Sequence, residues 1–178
     1  MVALLYGATI FSCSTDTVEK VSYAEILERP EEEAKNLKII YTNKGILINE
    51  VFAKTAIMNK RNDTALYIFP EGLHVNSYKM MDSVNVLETT LVADSATLKE
   101  KPNFFTAIGN VVARNLLTKK RLETEGPLYW DEKNKTIETF VFSTIYTETD
   151  TIYAKSGISS DDAFRDVLIR QQSGVVLK

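Results

Sequence analysis

The chain is poor in the residues from which most catalytic and metal centres are built. Its 178 residues include one cysteine, Cys13, and one histidine, His74. A disulfide framework within the chain is excluded, and so is a zinc site of cysteine and histidine ligands. A Ser-His-Asp or Cys-His mechanism would have to use His74. That residue sits in the alternating run Leu73-His74-Val75-Asn76, and it reads as the solvent-facing member of a strand. Asp161 and Asp162 lie among turn residues and read as solvated carboxylates, not an acid–base dyad. No catalytic residue, cofactor or metal is expected. The net charge of −3 supplies no basic face for nucleic acid. Glycine and proline are few, seven and four, which argues against a disordered or low-complexity chain. No segment makes a convincing amphipathic helix of ordinary length.

What the chain has is β-forming residues. Hydrophobic content of 44% and charged content of 25% are ordinary for a globular domain, and Thr, Val, Ile, Tyr and Phe are plentiful. From residue 37 onward strands and turns alternate. Strands are expected at 37–41, 46–53, 64–69, 73–78, 136–142, 145–154, 164–170 and 173–177, with two short ones inside 84–98. Turns are expected at 42–45, 59–63, 70–72, 131–135 and 159–162, where Asn, Gly, Pro, Asp and Ser gather. The densest stretch is 104–131. It pairs two apolar runs, 104–113 and 128–130, around Lys119-Lys120-Arg121, which could meet anionic sugar phosphates but reads more simply as a solvated loop. Gly109 interrupts the first run where a bulge or bend would go.

A faint repeat runs through this pattern. Phe52-Ala53-Lys54-Thr55-Ala56 resembles Val92-Ala93-Asp94-Ser95-Ala96, 40 positions on, and Tyr153-Ala154-Lys155-Ser156-Gly157 is a weaker third copy. Gly72 stands in its unit where Gly109 stands in the next, which implies a built-in bend at both. Duplicated strand units that stack to bury one inner face are the physical expectation, with Ala53, Ala56, Ala93 and Ala96 letting two sheet faces approach closely.

The first residues read as an address. The run 1–11, MVALLYGATIF, is uncharged, too short to cross a bilayer and about as long as a signal-peptide apolar region. Ile10-Phe11-Ser12-Cys13 resembles a bacterial lipobox, although the usual positive residues before it are missing. A buried strand with a core cysteine is the other reading. The position of Cys13, where apolar residues give way to polar ones, favours lipidation. Residues 1–12 are then a lipoprotein signal, 13–36 a lipid-anchored tether holding the acidic run Glu31-Glu32-Glu33, and 37–178 the β domain.

Several segments match a known pattern: FPEGLHVNSY, LVADSATL, AIGNVVARN, LETEGPLYWDEKNKTIET and SGVV. Together they resemble the LptC family of lipopolysaccharide export proteins, part of the OstA-like superfamily that includes LptA. The resemblance implies an all-β fold, a twisted antiparallel β-jellyroll open at both ends, whose interior cradles acyl chains. It implies a periplasmic protein that takes lipopolysaccharide from an inner-membrane ABC transporter of the LptB/LptF/LptG type and passes it to an LptA-like bridge, joining its partners edge to edge. Better-known members hold on by a transmembrane helix; here the lipobox at Cys13 would supply the membrane anchor, most simply at the inner membrane. Inward positions expected to line a lipid groove are Ile40, Phe52, Tyr67, Phe69, Leu73, Val75, Phe105, Val111, Leu128, Trp130, Ile137 and Val141. Apolar neighbours at Ile39, Leu66, Ile68, Val112, Tyr129 and Phe140 leave the choice of face open. A docking lipoprotein with a filled sandwich core and no lipid cargo is the alternative.

Overall fold

The computed structural model describes residues 32–61, 64–100, 103–170 and 172–175. Cys13, the signal segment and most of the tether lie outside the described residues. Every regular element described is a strand: β1 (Glu32–Asn43), β2 (Ile46–Arg61), β3 (Thr64–Phe69), β4 (Leu73–Met81), β5 (Val84–Ala93), β6 (Ser95–Glu100), β7 (Asn103–Ile108), β8 (Val111–Asn115), β9 (Lys120–Thr124), β10 (Leu128–Asp131), β11 (Thr136–Thr139), β12 (Ser143–Tyr146), β13 (Thr151–Ala154), β14 (Ile158–Asp161), β15 (Val167–Ile169) and β16 (Gln172–Val175). All belong to one antiparallel sheet.

β2 organises that sheet. Its residues 49–53 pair with β4 and its residues 57–61 pair with β3, while β1 runs along its opposite edge. The sheet leaves β2 in two directions. One wing is β3-β6-β7-β10-β11-β14-β15; the other is β4-β5-β8-β9-β12-β13-β16. Hairpins stay within a wing, and every other link crosses to the opposite wing. A single core cluster draws Phe69, Ala107, Leu128 and Ile158 from the first wing and Leu73, Val111, Leu122 and Ile145 from the second. The wings therefore face each other across one apolar interior, as two-faced sheets must to bury a stripe on each.

The crossings stack into one seam. Asp94 N–H donates to the Gly109 carbonyl at 2.9 Å, and Gly109 N–H donates to the Glu125 carbonyl at 2.9 Å. The Thr124 hydroxyl donates to the Phe142 carbonyl at 2.9 Å, and Arg170 N–H donates to the Gly157 carbonyl at 3.0 Å. At the first corner the Thr55 hydroxyl donates to Glu71 at 2.7 Å. The repeated box falls on these corners: Ala53 and Ala56 flank the switch of partner in β2, Ala93 and Ala96 flank Asp94, and Ala154 precedes the 155–157 link. The four alanines just named in β2, β5 and β6 are at most 7% exposed, so a larger side chain has no room there. Gly72 (φ 88°) and Gly109 (φ 78°) occupy the two matching corners, in the left-handed region that glycine enters without a Cβ penalty.

Several expected boundaries move, each for a tertiary reason. β1 begins at Glu32, inside the expected tether, because pairing with β2 from Glu32↔Met58 onward satisfies its backbone; the charged residues stay exposed on an edge strand. β2 continues through the turn expected at 59, since its second half has a partner in β3. The strand expected over 136–142 stops at Thr139 and turns a corner at 140–142, and the single strand expected over 145–154 is the hairpin β12–β13. Lys120 and Arg121 belong to β9 and not to a loop. The turn expected at 159–162 begins later, because Ile158–Asp161 pairs with β11. Phe164 lies in the β14–β15 loop, outside the strand expected from that residue.

The seam sets an order of glycine costs. A Cβ on Gly157 would stand 1.9 Å from the Thr139 carbonyl oxygen, a backbone atom that cannot move alone. A Cβ on Gly109 would meet the Asp94 carboxylate at 2.8 Å, and a side chain can swing aside. Urea unfolding should give Gly157→Ala a loss of about 4 kcal/mol or more, with Gly109→Ala nearer the roughly 1–2 kcal/mol of the left-handed conformation plus a small displacement. Equal losses would show that the corner carbonyls do not constrain the fold.

Candidate functional site: the cleft between the wings

Strand register sorts inward from outward side chains, because residues directly opposite on neighbouring strands share a face. In the first wing one inward row runs Phe69–Ala96–Ala107–Leu128 along the seam, and a second runs Tyr67–Leu98–Phe105–Trp130–Ile137–Ser160–Val167. In the second wing the rows are Ala53–Leu73–Ala93 and Val51–Val75–Leu91–Ala113–Leu122–Ile145–Ile152. Seam rows are shut: Phe69, Leu128 and Val111 are each 1% exposed. Away from the seam the interior loosens at both ends, with Val51, Tyr67, Val75, Leu91 and Leu98 partly buried in the N-terminal part and Ile152, Val167 and Ile169 at the C-terminal end. The interior is thus a cleft, tight at the seam and open at the hairpin side near β2–β6.

Nine of the twelve expected groove positions belong to this interior: Tyr67, Phe69, Leu73, Val75, Phe105, Val111, Leu128, Trp130 and Ile137. Three do not. Ile40 stands opposite Glu50 on the outer face and is 55% exposed. Phe52, opposite Lys38, also faces outward; the Lys38 ammonium lies 5.2 Å from its ring centre and the His74 ring 6.0 Å away. Val141 falls in the corner 140–142 and is 36% exposed. Adjacent apolar residues at 39–40 and 51–52 made either face plausible, and only pairing with β2 decides. The missed cleft residues Val51, Leu91 and Leu98 each stand two positions from a buried alanine of the repeated box, which was the signal available.

Charged groups stand at both ends of the cleft. Near the open end, burial raises the Tyr41 phenol above its ordinary pKa, helped by the charges of Glu100 and Glu132. Burial and a hydrogen bond to Glu100 at 3.1 Å do the same to Tyr67. At the C-terminal end a half-open cavity of about 310 Å³ has Ile145, Ile152, Val167 and Ile169 among its lining, with Lys120, Thr147, Arg165 and Asp166 beside them. The basic cluster is already engaged: Lys119 with Glu148, Lys120 with the Arg165 carbonyl, and Arg121 with Glu123 and the face of Tyr146. His74 is solvent-facing on the outer surface of β4. No group of three or more His, Cys, Asp and Glu residues placed to hold a metal occurs among the described residues. No described helix is long and apolar enough to cross a membrane.

Asp161 fixes the loop at that C-terminal end. Its carboxylate accepts from the Arg165 N–H at 2.6 Å, the Asp166 N–H at 3.1 Å and Arg165 Nε at 2.7 Å. Burial works to raise its pKa, but these bonds outweigh it and hold the group below its usual value of 3.8. A carboxylate depressed in the folded state stabilises fully above its unfolded pKa and loses that contribution as pH falls through the folded one. The stability difference between wild type and Asp161→Asn, measured in urea, should therefore be constant near neutrality and shrink below about pH 4. A difference that does not change with pH would remove the carboxylate from the account.

No protein-family model matches the chain, and no curated protein matches it significantly.

Proposed function

We propose that this protein carries lipopolysaccharide. It would accept the lipid from an inner-membrane ABC transporter of the LptB/LptF/LptG type, hold its acyl chains between the wings, and pass it to an LptA-like bridge in the periplasm. Lipidation at Cys13 would hold it to the membrane. The observation that carries this reading is the cleft. Apolar side chains from both wings, including Tyr67 and Leu98 of the first and Val75 and Leu91 of the second, are only partly buried inside the sheet, where closure would have stabilised the fold by about 25 cal/mol per Å² of apolar surface removed from water. Trp130 adds a polar handle: its Nε1–H is buried without an acceptor among the described residues, and suits a carbonyl of a bound acyl ester or amide. An antiparallel sheet in which β1 pairs with β2 alone among the described strands suits the edge-to-edge jellyroll that the resemblance to the LptC family implies.

One observation favours the second reading, a docking lipoprotein without lipid cargo. Phe104, Tyr129 and Phe140 form a ladder of ring contacts on the outside of the first wing, and Phe142 stacks with Tyr153 of the second. Both Phe140 and Phe142 are more than half exposed, as a partner-binding patch would be.

A photo-crosslinking residue at Val75 or Leu98 should capture lipopolysaccharide when extractor and ATP are present, and one at outward Ile40 should not. Capture at neither cleft position, in folded protein, would sink the carrier reading in favour of the docking one. Metabolic labelling with a fatty acid should be lost in Cys13→Ala; label that persists would refute the anchor.

A further inference from the structure

We infer that the β14–β15 loop, residues 162–166, is a latch: it closes the C-terminal half of the cleft, and acyl chains reach that half when it swings away from the opposite wing. The inference rests on the carrier reading and adds to it a moving part and a place.

The burial pattern locates the closure. Along the second inward row, Val51, Val75 and Leu91 are partly buried, Ala113, Leu122 and Ile145 are at most 4% exposed, and Ile152 at the far end is partly buried again. The closed middle of the row coincides with the loop. Phe164, 3% exposed, belongs to the shared core, and Ala163 beside it is buried as well. Without this loop the open cleft would continue past β9 and β12.

Among the described residues, the loop's hydrogen bonds to the far wing come from side chains. Asn115, 1% exposed, donates from Nδ2 to the Ala163 carbonyl, and Lys120 Nζ donates to the Arg165 carbonyl at 2.6 Å. The carbonyl of Asn115's own side chain is taken by Leu117 N–H and Thr118 N–H at 2.9 and 2.8 Å, which fixes the receiving hairpin. No strand ladder joins the loop to β8 or β9. Two hydrogen bonds and one buried ring are a modest attachment beside the ladders elsewhere. A net hydrogen bond contributes only about 1 kcal/mol.

The loop keeps its base on its own wing. Asp161, the last residue of β14, accepts from the Arg165 and Asp166 N–H groups, Phe164 N–H donates to the Asp161 carbonyl at 3.1 Å, and Asp162 N–H donates to the Lys135 carbonyl at 3.1 Å. Phe164 itself sits at φ 55°, a left-handed conformation that a bulky residue leaves readily when its packing is lost. Beneath the loop lies the cavity of about 310 Å³, at the small end of the roughly 300–1,000 Å³ typical of ligand pockets. The aliphatic part of its lining, Ile145, Ile152, Val167 and Ile169, suits a hydrocarbon chain.

The test uses the full chain in a Cys13→Ser background with Lys120→Cys and Arg165→Cys joined by a reducible bis-thiol crosslinker. Exchange of dansyl-labelled undecanoic acid is followed by stopped flow. We expect the crosslinked protein to exchange probe at least about tenfold more slowly, with the rate restored on reduction, and Phe164→Ala to exchange faster than wild type. Bound probe that exchanges equally fast with the crosslink intact overturns the latch and leaves the carrier reading standing. Absence of probe binding in every folded variant overturns both. Should Phe164→Ala fail to fold, the crosslinked and reduced pair, whose core is unaltered, decides the matter alone.

Discussion

Backbone contact at the corners is the constraint on which the rest of the molecule depends. Hydrogen bonds join four of the six successive pairs of crossings: Asp94–Gly109, Gly109–Glu125, Thr124–Phe142 and Arg170–Gly157. Backbone polar groups at a turn need partners, and these corners supply them to their neighbours. The spacing is too close for side chains. Alanines flank the corners in β2, β5 and β6, and glycines with positive φ stand at 72, 109, 126 and 157. With the seam fixed, the register of every hairpin follows, and with register the two inward rows of each wing.

The cleft is a by-product of this geometry. Wings joined along one edge diverge from it, so burial is complete beside the seam and falls off toward the hairpin turns. In the C-terminal half Phe164 and Ala163 fill the divergence; in the N-terminal half nothing among the described residues does. Charged groups stand at both ends, Glu100 and Glu132 near Tyr41 at one and Lys120, Arg165 and Asp166 at the other.

Local chemistry made much of the fold legible in the sequence. Alternation placed Leu73, Val75, Phe105 and Val111 on one face, and Gly72 and Gly109 stood where the chain turns corners. The alanine box was visible as a repeat before its place in the seam was known. What could not be read depends on long-range pairing. Ile39 and Ile40 are equally apolar, and only the partner across β2 turns one inward and the other out. The acidic start of β1 resembles a tether until sixteen residues of β2 are there to receive it. Phe164 looked like the first residue of a strand because a bulky aromatic rarely adopts φ 55°; its role is set by the space between two wings that are far apart in sequence.

The winding has one more consequence. A complete coil, one hairpin in each wing with its two corners, touches chiefly the coil before it and the coil after it. Such a molecule resembles a one-dimensional array, whose stability is a sum of unit terms and nearest-neighbour terms. Its length is then a free variable. Inserting or removing a coil would lengthen or shorten the cleft without altering its cross-section, so the span over which a cargo is held could change independently of how it is held.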